Sequence, residues 1–483
     1  MASARQPAQA GARFRYERHR PEDTTLYRVV AEELETFVAQ VEAQTGSDLP
    51  QFIQDEFEAY LQCGILAHGF LRVRCAECAH EKLVAFSCKR RGFCPSCGAR
   101  RMAETAAYLV DRVIPRVPVR QWVLSFPIPL RILLAAHPEL LTPVLGIVQR
   151  VITGFLLSQA GLKRTAADPG SVTLIQRFGS AANLNVHLHC LVLDGVYRRT
   201  EGEPIFDEAR APTGDELKGL LDQIVARLMK LLTRRGYLVE EQGMTYLADT
   251  DADHPLASLQ AASCTYRIAF GPRAGQKVLS LRTLAGQDGK PRKVLCADAH
   301  GFSLHAAVRC GADQRKPLER LCRYITRPAL ANERLSRNGK GQVVLRLKSP
   351  YRDGTTHIVM HPQEFMQRLA ALVPRPRLHL IRFHGVLAPN AKLRAAVVPD
   401  VVQPASEPAH EHGHGQAARM SWARLLKRVF DIDVEHCACG GQLKIIAAIE
   451  EPVLIVRILT HLGLPARAPP RAPARELSLN HAA

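Results

Sequence analysis

Long apolar runs are missing from this chain. Nowhere in its 483 residues is there a window of about 18 apolar residues without charge, so no membrane-spanning helix is expected. The nearest approach, Ile132 to Leu157, is interrupted by His137, Pro138, Glu139, Gln149 and Arg150. The N-terminal stretch MASARQPAQAGARFRYERHR has no apolar segment after its arginines, so no secretory leader is expected there. Acidic residues are scarce: 46 against 64 Lys plus Arg, a net charge of +18. A surplus of that size suits a polyanionic partner, nucleic acid first, although an Arg-, Ala- and Pro-rich composition contributes to it. No internal repeat stands out.

What is present allows a folded protein. Apolar residues make up 47% and charged residues 23%, enough to bury a core. The length points to more than one domain. Thirteen cysteines without an export signal read as metal ligands or buried apolar groups rather than disulfides.

Apolar spacing predicts helices between Tyr27 and Gln62, Met102 and Leu157, Asp215 and Leu232, and Lys316 and Thr326, the last ended by Pro328. Strict alternation predicts strands between Val172 and Tyr197, then Val343 to Lys348 and Thr355 to Val359. Residues 398–418 read as a polar linker. After them, Trp422, Leu425, Leu426, Val429 and Phe430 form one apolar helix stripe.

Three motifs carry chemistry. The first is Cys75-Ala-Glu-Cys78 followed by Cys94-Pro-Ser-Cys97, at zinc-ribbon spacing. Each short turn aims two thiolates at one ion, and Gly98 suits the turn of the second pair. Cys63 and Cys88 lie in the same stretch and could replace a member of the four or serve a second ion. Arg74, Lys89, Arg90, Arg91, Arg100 and Arg101 would give this scaffold a phosphate-binding face. A further pair, Cys437-Ala-Cys439-Gly440-Gly441 with His436 beside it, reads either as a metal site or as a tight glycine turn.

The second motif is His187-Leu188-His189 in an alternating strand, which puts both imidazoles on one face. A turn centred near Ala181 and Ala182 would set Gln176 of the preceding strand opposite His187, as a candidate third ligand. Imidazole plus amide oxygen, with open positions, suits a divalent ion such as Mg²⁺ or Mn²⁺. The third is the helix around Tyr324. Its apolar stripe is Leu318, Leu321, Cys322 and Ile325, with Arg320, Arg323 and Arg327 opposite and Tyr324 at the boundary. A phenol among guanidiniums could attack a phosphodiester.

CxxC, then SCKRRGFCPSC, then QRFGSAANLNVHLHCLVLDGVY, then RYITRP, with FHGVLAPN further on, occur in that order. In this combination the chain resembles the insertion-sequence-91 family of bacterial transposases, which are similar to rolling-circle proteins of the HUH (His-hydrophobe-His) endonuclease superfamily. The resemblance implies an α+β fold: an HUH-like antiparallel sheet with helices, a small zinc-binding module and a small C-terminal module. It implies His187 and His189 as metal ligands and Tyr324 as the nucleophile that forms a 5′-phosphotyrosine link to single-stranded DNA. It places Cys75, Cys78, Cys94 and Cys97 in a zinc domain. Gln176 as third ligand is an inference from pairing alone. Some members carry two tyrosines one helical turn apart; here Arg320 and Pro328 flank Tyr324.

The expected domains are a basic arm and helical lead-in at 1–60, the zinc module at 61–101, a helical connector at 102–165 and the catalytic domain at 166–397. The linker at 398–418, a C-terminal module at 419–464 and a disordered tail at 465–483 follow. The expected activity is cleavage and joining of single-stranded DNA at element ends and target DNA. It would use structural Zn²⁺ and catalytic Mg²⁺ or Mn²⁺, with Arg323, Arg327, Arg90 and Arg91 on the DNA, in the bacterial cytoplasm at the nucleoid. Homo-oligomerisation stays open. The rivals are a plasmid-type replication initiator or relaxase and a non-catalytic zinc-dependent DNA-binding regulator.

Overall fold

A computed structural model describes residues 20–241, 244–248, 255–282, 294–351, 353–399, 428–429 and 435–475. Most of the 398–418 linker and of the Trp422 to Phe430 stripe lies outside the described residues. The chain divides into two compact units: residues 1–24, 61–89 and 409–470 form one, and residues 25–60, 90–408 and 471–483 the other. Both mix helix and sheet.

The larger unit is built on a six-stranded antiparallel sheet. Its strands run in the order Cys296–Ala299, Phe302–Cys310, Val119–Ser125, Leu184–Leu193, Gly170–Phe178, Ile381–Gly385. The two strands expected from alternation pair as neighbours, joined by a tight turn in which Ala182 adopts φ 51°. Val119–Ser125 falls inside a stretch that reads as helical from sequence. The chain there instead forms helix Pro95–Arg112, this strand, and helices Ile128–Ala136 and Leu141–Gln159.

Alternation divides the sheet into two buried faces. Trp122, Leu124, Val186, Leu188, Cys190 and Val192 pack under the helices at 128–136, 141–159 and Gly214–Arg234. Val119, Val172, Leu174, Leu191 and Leu193 pack on the opposite face, under Pro95–Arg112 and Arg315–Thr326. The segment 138–159 is long and apolar enough to cross a membrane. The expectation that no such helix exists therefore fails on length and composition. Its Leu141, Val144, Leu145, Val148, Val151 and Ile152 are nevertheless core residues of the first face.

A buried charge cluster ties three strands together. Arg120 holds Asp194 through two bonds of 2.8 Å, and Arg309 adds a third of 2.8 Å. The Arg120–Asp194 side chains are only 4% and 3% exposed, so neither charge could be left alone without a large desolvation cost.

The smaller unit is a three-stranded antiparallel sheet in the order Leu443–Ile449, Phe70–Cys75, Glu81–Ala85. The C-terminal strand pairs along the whole length of Phe70–Cys75, from Phe70 opposite Ile449 to Cys75 opposite Leu443. Helix Pro452–His461 brings Ile455 and Leu459 onto Leu66 and Phe70.

Candidate functional site

The histidine strand, Leu184–Leu193, lies in the interior of the large sheet, and its polar pair faces the helix that carries Tyr324. His187 is half-buried and His189 is 5% exposed. Their rings lie 4.9 Å apart, centroid to centroid, at 63°. His187 Nδ1 donates to the Asn185 carbonyl at 2.9 Å, which leaves Nε2 unprotonated. The Gln121 amide nitrogen Nε2 lies 2.8 Å from His189 Nδ1 and donates to it. Only with the amide turned end for end would Oε1 accept an Nδ1 proton and leave His189 Nε2 a bare lone pair. That Nε2 is buried without a hydrogen-bond partner. Burial pushes His187 down to about 4 and His189 to about 3, and the Arg327 charge adds to both. A neutral imidazole whose Nδ1–H is tied to an acceptor is a fit ligand for a divalent ion; His187 has that arrangement, and His189 takes it when the Gln121 amide is turned.

Gln176 is the direct cross-strand partner of His187. Its Nε2 donates to the Ile325 carbonyl at 2.6 Å, so any ligand role falls to Oε1. The same bond fixes the tyrosine helix, Arg315–Thr326, over the histidine face. Leu318, Cys322 and Ile325 are buried beneath that helix, while Tyr324 is 45% exposed. The Arg327 guanidinium stacks 4.5 Å above the Tyr324 ring and 5.6 Å from the Phe178 ring. Lys348 Nζ also lies 4.5 Å from the Tyr324 ring. Two cations thus face an exposed phenol, and one of them also acts on the histidines.

The far end of the tyrosine helix rests on Pro95–Arg112. A Cβ on Gly98 would sit 2.6 Å from Cβ of Pro328, so only glycine lets this helix approach the Arg323 to Pro328 segment. Gly98 therefore serves helix packing rather than the knuckle turn assigned to it from sequence. Arg315 donates to the carbonyls of Val110, Pro115 and Ile114, locking the other end.

The thiols group differently from the sequence reading. Cys75 and Cys78 converge with Cys437 and Cys439, all four sulfurs lying within 4.8 Å of one another. Cys94 and Cys97 belong to the other unit, where Cys94 is the N-cap of Pro95–Arg112 and Cys97 lies in its first turn. Spacing alone cannot tell which CxxC partners which. In the same unit as the first group, the Cys88 N–H donates to the Cys63 sulfur at 3.3 Å. His436 pairs with Gln442 as an isolated bridge and is not among the converging ligands. Backbone N–H groups of Cys78 and Glu77 hold the Cys75 thiol down to about 7, while the Cys439 and Cys437 sulfurs push the Cys78 thiol up, so the four share protons rather than titrate singly.

Two family models match the chain. A transposase model covers residues 170–394, which include the histidine strand and the tyrosine helix. A model of the transposase zinc-binding domain of insertion-sequence-91 elements covers residues 32–126. The chain belongs to the insertion-sequence-91 family of transposases. No curated protein and no solved structure matches it.

A transposase of this family acts on DNA and carries structural zinc. Some arginines expected on the DNA are spoken for in the fold. Arg91 donates to the Leu378 carbonyl at 2.7 Å, and Arg101 to the Arg90 carbonyl at 3.1 Å. Arg100 pairs with Glu104 at 2.9 Å. Two residues were missed from sequence. Gln121 lies on a strand that is apolar on both sides and so shows no clean period. Lys348 lies far along the chain from Tyr324. Neither left a local signal.

Proposed function

We propose that this transposase cleaves and rejoins single-stranded DNA with Tyr324 as the nucleophile, in the manner of an HUH endonuclease serving rolling-circle-type transposition. The observation that carries the reading is the Gln176–Ile325 bond. One residue is at once the strand partner of His187 and the anchor of the helix turn that bears Tyr324. That bond ties the helix that carries Tyr324 to the strand opposite His187.

His187 and His189, with Gln176 as the cross-strand partner of His187, would hold Mg²⁺ or Mn²⁺, which as a Lewis acid would polarise the scissile phosphate. The Tyr324 oxygen attacks phosphorus and gives up its proton to solvent. The bond from phosphorus to the 3′ oxygen breaks, and that oxygen leaves as a 3′-hydroxyl. The product is a 5′-phosphotyrosine. A phenol has an ordinary pKa of about 10 and needs help at neutral pH. Arg327 and Lys348 beside the ring would stabilise the charge developing at phosphorus. With Arg320 and Pro328 flanking Tyr324, the second transfer falls to another nucleophile, such as the released 3′-hydroxyl. Arg323, Arg327 and Arg90 would contact phosphates, and Arg91 would do so only if its bond to Leu378 yields.

Labelled single-stranded element ends, incubated with Mn²⁺, should give one covalent adduct per active site, mapping to Tyr324. Tyr324→Phe should bind the same strand and give none. Tyr197 is no substitute, since burial pushes its phenol up to about 12. Adduct in Tyr324→Phe, or a labelled peptide containing Tyr351, would sink the assignment. Retained strand binding with no adduct in the wild type would favour the non-catalytic regulator.

A further inference from the structure

The family's zinc-binding match ends at residue 126, yet two of the best-placed thiols lie more than three hundred residues beyond it. Cys75 and Cys439 sulfurs are 3.5 Å apart, and so are those of Cys78 and Cys437. A disulfide needs about 2.05 Å. Four sulfurs at ~2.3 Å from a tetrahedral zinc lie ~3.8 Å from one another. The observed separations sit close to the second arrangement and far from the first.

The backbone around both pairs has the form of two facing knuckles. Cys75 ends its strand, its N–H bonded to the His80 carbonyl at 2.9 Å, and Ala79 turns back at φ 57°. On the other side the Gly440 N–H donates to the Cys437 carbonyl at 2.9 Å, and the Gly441 N–H approaches the Cys439 sulfur at 3.4 Å. The Ala76 N–H donates to the Gln442 carbonyl at 3.0 Å, which joins the two knuckles directly. A Cβ on Gly441 would lie 2.6 Å from the Cys75 sulfur. Glycine is therefore required where one knuckle approaches the ligand of the other.

We propose that Cys75, Cys78, Cys437 and Cys439 bind one zinc ion, so that the C-terminal strand supplies half of the ligands of a zinc ribbon begun near the N-terminus. Four thiolates leave no open coordination position, so the ion is structural. It staples strand Leu443–Ile449 to strand Phe70–Cys75. Because the ligands are split along the chain, the ribbon can close only after residue 439 has been made. The reading is independent of Tyr324 chemistry.

The test uses full-length protein in four forms: wild type, C75S/C78S, C437S/C439S and the quadruple variant. Zinc is measured per chain after gel filtration. Each double variant should carry one zinc fewer than wild type, and the quadruple variant also only one fewer. Wild-type zinc in C437S/C439S would overturn the proposal, because Cys75 and Cys78 would then have other partners. Loss of two zincs in the quadruple variant would overturn it as well, as would iron in place of zinc. Should the serine variants aggregate, Cys439→His keeps a ligand in place. Loaded with Co²⁺, it should absorb at shorter wavelength than the wild type, since a nitrogen replaces a sulfur. An unchanged cobalt spectrum would rule Cys439 out.

Discussion

The six-stranded sheet and the three-stranded ribbon are stable for different reasons. The sheet buries apolar side chains on both faces, under three helices on one side and two on the other. Among the described residues, the ribbon's own cluster buries Leu66, Phe70, Ile455 and Leu459. Small units with so little core rely on a staple. Here the staple is the thiol quartet, and its free energy of binding is free energy of folding. One region is held by packing that a chelator leaves untouched, the other by an ion that a chelator removes.

The largest expected effect follows from that contrast. Structural zinc contributes an apparent ~10–16 kcal/mol in small metal-folded units, at least as much as the ~6–12 kcal/mol of four buried apolar side chains. Stripping the metal should erase hydrogen-exchange protection in Phe70–Cys75 and Leu443–Ile449. Leu184–Leu193 and Val119–Ser125 should keep theirs. Sheet strands opening together with the ribbon would break the comparison.

The opposite test removes a packed charge. Asp194 takes bonds from Arg120 and Arg309 in a site nearly closed to water. Asp194→Ala leaves the Arg120 guanidinium buried and unpaired, and such losses cost about 3–5 kcal/mol. Thermal unfolding should show this in the sheet while zinc content stays at the wild-type value. A drop in bound zinc would mean that the two regions do not fold separately.

The same contrast governs what can be read from sequence. The strands at 170–178 and 184–193 announce themselves because each presents one apolar and one partly polar face, so period two survives. Val119–Ser125 is central and buried on both sides, and its Val, Trp and Leu read equally well as helix. With it went Gln121, the partner of His189. The tyrosine helix was legible in its apolar stripe, but the cations over its ring come from the residue after the helix and from Lys348. The ribbon was legible only in half. Four cysteines in the first hundred residues satisfied a familiar spacing, and nothing local said that Cys75 and Cys78 pair with thiols near the other end. A sign was present, in that Cys437 and Cys439 precede the short, mostly apolar run Leu443 to Ile449 as a knuckle precedes a strand.

A smaller effect separates the proposed Mn²⁺ site from the structural zinc. Residues that hold the far nitrogen of a ligating histidine typically matter ~10–100-fold in metal affinity. Gln121→Ala and Gln176→Ala should each weaken Mn²⁺ binding by about that factor, read by titration with paramagnetic line broadening. Zinc content should not change in either. Unaltered Mn²⁺ affinity in Gln176→Ala would remove Gln176 from the ligand set while leaving the histidines in it.

The smallest effect is expected at Lys348. Its ammonium lies 4.5 Å from the Tyr324 ring centre and is exposed to solvent. A cation over an aromatic ring at an exposed position contributes ~0.5–1 kcal/mol. If that contact is all Lys348 offers, Lys348→Met should slow adduct formation only ~2–5-fold. The apolar stem is kept, so the pairing of Val343–Arg346 and the unfolding temperature should stay put. Arg327 would remain over the ring and keep most of the charge stabilisation. A loss of ~100-fold corresponds to ~2.7 kcal/mol, more than ring contact supplies. Such a loss would move Lys348 from the phenol to the scissile phosphate, and the weakening of the reaction by salt should then decrease in the variant. A small loss with unchanged salt dependence would leave Arg327 as the principal cation beside the nucleophile.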